Sequence, residues 1–278
     1  MPASHLPDRA LIAISGADAQ TFLHNLITTD VEAIAPKEAA PGALLTPQGK
    51  LFFDFLIWRH EDHFLLETDE SQADGLLKRL TLYKLRAKVD IKRLDDEGVT
   101  VFWNDDLPAD GIRDLRFAAA GLDLVRKPGR HAGADGDAYD GLRIAAGIVV
   151  SGRDFSLEDA FPHDVMLDLT RGVSFKKGCY VGQEVVSRMH HRKSARKRPV
   201  IVTAQGTLPA TGTPLTAAGK PIGTLGSVSG NAGLAIVRVD RAGEAMAAQL
   251  PVLAGDLPVT LRLPDWSGLA FPTASEDA

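Results

Sequence analysis

Lys176-Lys177-Gly178-Cys179-Tyr180-Val181-Gly182-Gln183-Glu184 contains the only cysteine of the chain. A lone thiol forms no internal disulfide, so its value lies in packing or in reactivity. Most single cysteines are small buried hydrophobes, and those sit in apolar periodic segments. Cys179 instead stands between two glycines, after two lysines and before the helix-like run Gln183-Glu184-Val185-Val186-Ser187-Arg188-Met189. Near ammonium groups and ahead of a helix N-terminus the thiolate form is favoured, which makes sulfur a better nucleophile and a better metal ligand. On residue chemistry alone, both packing and reactivity stay open.

Downstream, Arg188, Arg192, Lys193, Arg196, Lys197 and Arg198 crowd together with His190 and His191, and no Asp or Glu occurs from Val185 to Val239. The chain as a whole carries a net charge of −5. A basic block on an acidic chain, directly after a reactive loop, invites an anionic ligand or an acidic partner; its plainer reading is a solvated helix end. Net acidity argues against nucleic acid. No apolar run approaches membrane-spanning length. The 278 residues, 45% of them hydrophobic and 24% charged, suit a globular protein of one large or two to three small domains. One cysteine fits a reducing compartment, and the opening residues lack the basic and apolar regions of a secretory signal. Together these predict a cytoplasmic protein.

Arg9–Ile14 reads as a strand, and Ser15 with Asp18 as a capping box for a helix whose Phe22, Leu23, Leu26 and Ile27 face a core. Gly42–Thr46, Leu51–Arg59 and His63–Thr68 read as sheet strands, with Pro47-Gln48-Gly49 as a hairpin turn. Ser71 with Asp74 starts a second helix with Leu76, Leu77, Leu80 and Tyr83 inward. Short strands follow near Val89–Leu94, Val99–Trp103, Arg113–Phe117 and Leu122–Val125, and the Gly-rich stretch from Lys127 to Asp137 predicts a mobile loop. A helix from about Ala138 to Ala146 ends at Gly147. After Arg198-Pro199 helical periodicity disappears, and Val200–Gln205, Thr213–Ala217, Pro221–Val228, Ala232–Val239 and Leu257–Leu263 read as barrel or sandwich strands. The tail after Leu263 reads as frayed. The fold class is therefore α+β with a C-terminal barrel.

Zinc and cluster sites want about four Cys or His ligands at short spacing. Only Cys179, His190 and His191 are near one another, so no metal site is expected from this chain alone; Cys179 could bind iron only with ligands from a partner. His190 and His191 lie about three helical turns on, roughly 17 Å away, too far to act as its base. Asp54, within the apolar run Leu51-Phe52-Phe53-Asp54-Phe55-Leu56, must face solvent, a cleft or a partner. Asp164 and Asp168 read as caps or partners of Arg171.

The stretch Gly172-Val173-Ser174-Phe175 followed by Lys176 to Glu184 resembles the signature of the YgfZ-type branch of the GcvT superfamily, folate-binding proteins that include the mitochondrial iron–sulfur assembly factor. Ser15-Gly16-Ala17-Asp18-Ala19 with Phe22-Leu23 and Thr28-Thr29-Asp30-Val31, the hairpin Leu45 to Lys50, and Leu142-Arg143-Ile144-Ala145-Ala146-Gly147-Ile148 are similar to other family segments. The resemblance implies a cloverleaf of two interleaved α+β subdomains, roughly 1–46 with 141–196 and 47–140, plus a C-terminal antiparallel β-barrel over 197–278, around a folate channel. It implies Cys179, Lys177 and Asp54 as reactive residues, and Arg143, Tyr180, Gln183, Glu184 and Arg188 as residues for tetrahydrofolate.

Where aminomethyltransferases of the superfamily carry an aspartate pair, this chain reads Phe53-Asp54. Where they carry the pterin-gripping glutamate, it has Ala145. They also lack the cysteine motif. Within the branch, Pro162-His163-Asp164 replaces the more common proline-x-glutamate. The departures argue against a true aminomethyltransferase. The expected function is a folate-linked accessory factor for synthesis or repair of iron–sulfur clusters, meeting carrier or client proteins and holding a cluster only transiently. The alternatives are a tetrahydrofolate-dependent aminomethyltransferase or demethylase using Asp54, and a regulatory binding protein.

Overall fold

The computed structural model describes residues 2–95, 97–104, 106–132 and 138–272. They fall into two compact units, Met1–Tyr139 with Leu167–Ser187, and Asp140–Met166 with Arg188–Ala278.

The first unit is built on strands β1 (Ala3–Leu6), β2 (Arg9–Ser15), β3 (Glu38–Leu45), β4 (Leu51–His60), β5 (His63–Asp69), β6 (Asp90–Arg93), β7 (Val99–Trp103), β8 (Ile112–Asp114) and β9 (Leu124–Pro128), with helices α1 (Ala19–His24), α2 (Glu70–Lys84) and α3 (Leu115–Ala119). The strands form one sheet in the order β1-β7-β9-β8-β3-β4-β5-β2-β6. The β3–β4 hairpin falls at the expected Pro47-Gln48-Gly49 turn, and β4 and β5 form a second hairpin closed at His60 and His63. Alternation along β4 sends Phe53, Phe55 and Ile57 into a core with Leu23, Ile27, Leu76 and Leu80, and Leu56 and Trp58 into a second core with Leu11 and Leu65.

Glu67 lies beyond Leu65 on that second face, fully buried. Its carboxylate accepts from Arg126 Nε at 2.7 Å and Arg9 Nε at 2.9 Å, and Arg126 also donates to the buried Asp114 at 3.1 Å. Burial pushes the Glu67 carboxyl up, but Arg126 and Arg9 outweigh it and hold the group below the ordinary carboxylate range. The network accounts for polar residues inside apolar strands, since buried charge persists only when paired.

Both N-terminal caps differ from the sequence reading. Helix α1 begins at Ala19, and Asp18 makes no side-chain cap; its carboxylate accepts the Lys88 N–H at 2.7 Å instead. The cap of α2 is Asp69, which accepts the Ser71 N–H. Arg113–Phe117 is strand only to Asp114 and then turns into α3. Of the stretch expected to be mobile, Lys127 and Pro128 belong to β9, the His131 N–H is tied to Thr100 Oγ1, and 133–137 lie outside the described residues.

The second unit holds a closed barrel, β10 (Lys197–Thr203), β11 (Pro214–Ala217), β12 (Lys220–Ser229), β13 (Ala232–Arg238), β14 (Val252–Ala254) and β15 (Leu257–Arg262), in the order β10-β13-β12-β11-β14-β15. Helix α4 (Ala138–Ala146) runs into it, α5 (Gln183–His191) precedes it, and α6 (Val239–Ala247), unforeseen in the sequence, lies between β13 and β14. Residues 264–272 are not frayed: Trp266 Nε1 donates to the Ala146 carbonyl at 2.8 Å and Phe271 packs on the barrel core. The rest of the tail lies outside the described residues. No helix among the described residues is long and apolar enough to cross a membrane.

Candidate functional site

Cys179 is exposed, on a loop whose approach is fixed to the α1–β3 connection. The Ser174 N–H donates to the Thr28 carbonyl at 2.9 Å, and Thr28 Oγ1 donates to the Gly172 carbonyl at 2.6 Å. Ser174 Oγ then accepts the Lys177 N–H at 3.2 Å, closing a turn. Lys177 Nζ completes the attachment by donating to the carbonyls of His24 at 2.6 Å, Ile27 at 2.5 Å and Thr29 at 2.9 Å. It also lies 5.0 Å from the Tyr180 ring centroid, within cation–π range.

An ammonium has three protons, and here all three meet backbone oxygens. Lys177 is thus a clamp on the thiol loop, and its charge is directed at the 24–29 backbone. Burial pulls its pKa down to about 8, against the opposing pull of Asp30. Tyr180 is buried beside it, with no hydrogen-bond partner for its hydroxyl among the described residues, and burial raises its pKa to about 12.

Gly182 and Gly49 explain why the motif and the hairpin go together. Gly182 has φ +79°, and a Cβ there would stand 2.6 Å from the Thr46 carbonyl and 3.0 Å from Gly49 Cα; a Cβ on Gly49 would meet Val185 at 2.9 Å. The backbones of the thiol loop and the hairpin turn therefore touch where only glycine fits. Gly178 differs, since a side chain there would meet nothing within 4 Å. Glycine at 178 leaves the approach to Cys179 uncovered.

The structure groups Lys177, Cys179 and Tyr180, with Gln183 opening α5, its N–H bonded to the Tyr180 carbonyl. Glu184 and Arg188 are exposed on that helix. Asp54 is half-buried on β4, where its carboxylate accepts from Gln72 Nε2 at 3.1 Å. Arg143, in the second unit, is completely buried. Its guanidinium donates to Asp140 at 2.7 Å, to Asp154 at 2.8 Å and to Ser227 Oγ. Asp154 in turn accepts the N–H groups of Val150 at 2.8 Å and Ser227 at 2.7 Å. This is a structural ion pair that the sequence did not reveal.

Within the basic block, Arg192, Lys193 and Arg196 are exposed, whereas Arg198 is buried and donates to the His163 carbonyl. Asp164 caps Pro162–Val165 by accepting the Phe161 N–H at 3.0 Å, and burial raises its pKa. Arg171 pairs with Glu38 at 3.4 Å.

Two of these positions do not fit a pterin held as in aminomethyltransferases. Ala145 is exposed and offers no carboxylate, and the Arg143 guanidinium is taken up by Asp140, Asp154 and Ser227. The turn between α1 and β3 also gathers His24, Asp30 and Glu32, with ligand atoms within 4.8 Å of one another.

The sheet, the closed barrel and the segments that join them define an aminomethyltransferase-like fold. The structure superposes on aminomethyltransferase T of the glycine cleavage system from Bartonella henselae with a TM-score of 0.73, covering 95% of this chain and 85% of that one at 18% identity. Residues 196–269 match the family described as CAF17, C-terminal beta-barrel domain. The chain is 31% identical to the human iron-sulfur cluster assembly factor IBA57, mitochondrial, over 98% of its own length and 85% of the relative's. It is 32% identical to the IBA57 homolog of Pyricularia oryzae, over 84% and 71%.

The chain belongs to the CAF17/IBA57 family. Its relatives carry the IBA57 name rather than the YgfZ name within the same superfamily branch, and they are named mitochondrial, which overturns the cytoplasmic expectation. That expectation rested on a single cysteine and on the make-up of the opening residues, and neither names a particular compartment.

Proposed function

We propose that this chain is an iron–sulfur cluster assembly factor in which Cys179 supplies one thiolate to the iron of a cluster held jointly with a partner protein. The observation that carries the reading is the exposed thiol on a loop clamped by Lys177 to three carbonyls. Free thiols otherwise favour burial. Rigid attachment reduces the entropy lost when the sulfur binds. The thiol proton leaves to solvent, the sulfur lone pair binds iron, and a ligand already on that iron departs, with no change of oxidation state. One thiolate leaves most cluster positions to be filled, so carrier or client proteins supply the rest. The relatives' names support the cluster as cargo.

Complementation of a strain lacking its own family member tests the reading. Cys179→Ser is expected to accumulate as folded protein and fail to restore cluster-dependent enzymes, while Asp54→Ala restores them. Full rescue by Cys179→Ser refutes the thiolate role. Failure of Asp54→Ala alone favours one-carbon chemistry at that carboxylate.

A further inference from the structure

The C-terminal end of α2 and the turn after it carry a surface unlike the rest of the first unit. Residues 78–88 contain five cations, Lys78, Arg79, Lys84, Arg86 and Lys88, and no acid, in a chain whose net charge is −5. None of the five is paired with a carboxylate among the described residues; Arg79 instead stacks on Phe52 at 4.6 Å. Leu82 is 59% and Leu85 88% exposed, two large apolar side chains within four residues. Leu85 also has φ +46°, a backbone region that bulky residues rarely adopt, so the turn holds a strained residue outward. Tyr83 and Ala87, with Phe22, Leu26, Thr21, Asn25 and the acid Asp18, line an open groove of about 470 Å³.

Single exposed leucines need no explanation, but paired leucines among five cations that no carboxylate neutralises have the anatomy of a binding face. We infer that this face docks a partner protein presenting an acidic segment that carries an apolar side chain. The apolar residue packs against the exposed Leu82 and Leu85, while the carboxylates meet Lys78, Arg86 and Lys88. The sign of the rim selects the partner: a basic segment would be repelled. This face is built from elements other than the Cys179 loop, and the inference stands apart from the thiolate proposal.

The test uses the full chain and a fluorescein-labelled glutamate-rich helical peptide bearing two leucines four residues apart, followed by fluorescence anisotropy. Saturable binding is expected, weakening with added salt. Leu82→Ser/Leu85→Ser and Lys78→Glu/Arg86→Glu should each weaken it about tenfold, and replacing the peptide's leucines by alanine should abolish it. Both variants alter exposed side chains, and matching circular dichroism and melting curves establish that they fold. Absence of saturable binding, or binding indifferent to the leucine substitutions, overturns the inference. So does a sedimenting dimer of the wild-type chain that the leucine variant loses, because a second copy would then cover the face.

Discussion

Lys177→Met separates a clamp from an electrostatic activator. The variant keeps most of the aliphatic stem and removes the three donors that reach His24, Ile27 and Thr29. Hydrogen bonds from a charged group contribute roughly 1.5–3 kcal/mol each, so three sum to about 5 kcal/mol at the low end. The relieved burial of the ammonium, and water entering a partly exposed site, offset about half. The expected loss is about 2–3 kcal/mol, or a fall of roughly 1 M in the urea midpoint. Amide exchange over 24–29 and 174–180 should accelerate about thirtyfold or more, since ~2 kcal/mol corresponds to that factor if the loop opens locally. Alkylation of Cys179 by iodoacetamide should keep its rate or gain speed. Unchanged stability and exchange, with slower alkylation, would refute the clamp and restore Lys177 as counter-ion of the thiolate.

Arg143→Met should destabilise the second unit by about 3–5 kcal/mol, because it leaves the buried Asp154 charge without its partner; urea unfolding measures this, and intact stability with lost ligand affinity would instead mark Arg143 as a binding residue. Gly182→Ala should cost well over about 1 kcal/mol, given its positive φ and the Thr46 carbonyl at 2.6 Å, whereas Gly178→Ala should change melting little. Lys177 also sets a pH dependence. Its folded pKa of about 8 lies below the ordinary lysine value of 10.5, so between those values the unfolded chain holds the proton that the folded chain has released. The contribution of this group to stability therefore rises across that window, and the rise should vanish in Lys177→Met.

The hairpin at Pro47-Gln48-Gly49 and the barrel strands other than the three-residue β14 were legible because alternation and turn chemistry are local. The caps were not: Asp18 gives its carboxylate to Lys88, distant in sequence, and the cap Asp69 stands two residues before Ser71. Helix α6 was hidden by Gly243 and by the strand-like texture around it. The Glu67–Arg126–Asp114 and Arg143–Asp154 pairs were illegible for the same reason as the caps, since each polar residue makes sense only beside a partner that folding brings in. At the thiol loop one side-chain direction was not legible. Lys177 reads in sequence as a neighbour of Cys179, yet its ammonium turns to carbonyls across the sheet connection.

The most direct test adds a glutathione-ligated [2Fe–2S] cluster to the anaerobic full chain and records visible circular dichroism. A glutathione thiolate on the cluster is exchanged for the Cys179 thiolate and leaves as free glutathione, and binding to the folded chain gives a signal that the free cluster lacks. The account predicts a saturable visible signal with the wild-type chain and none with Cys179→Ser. An equal signal from the serine variant would contradict it.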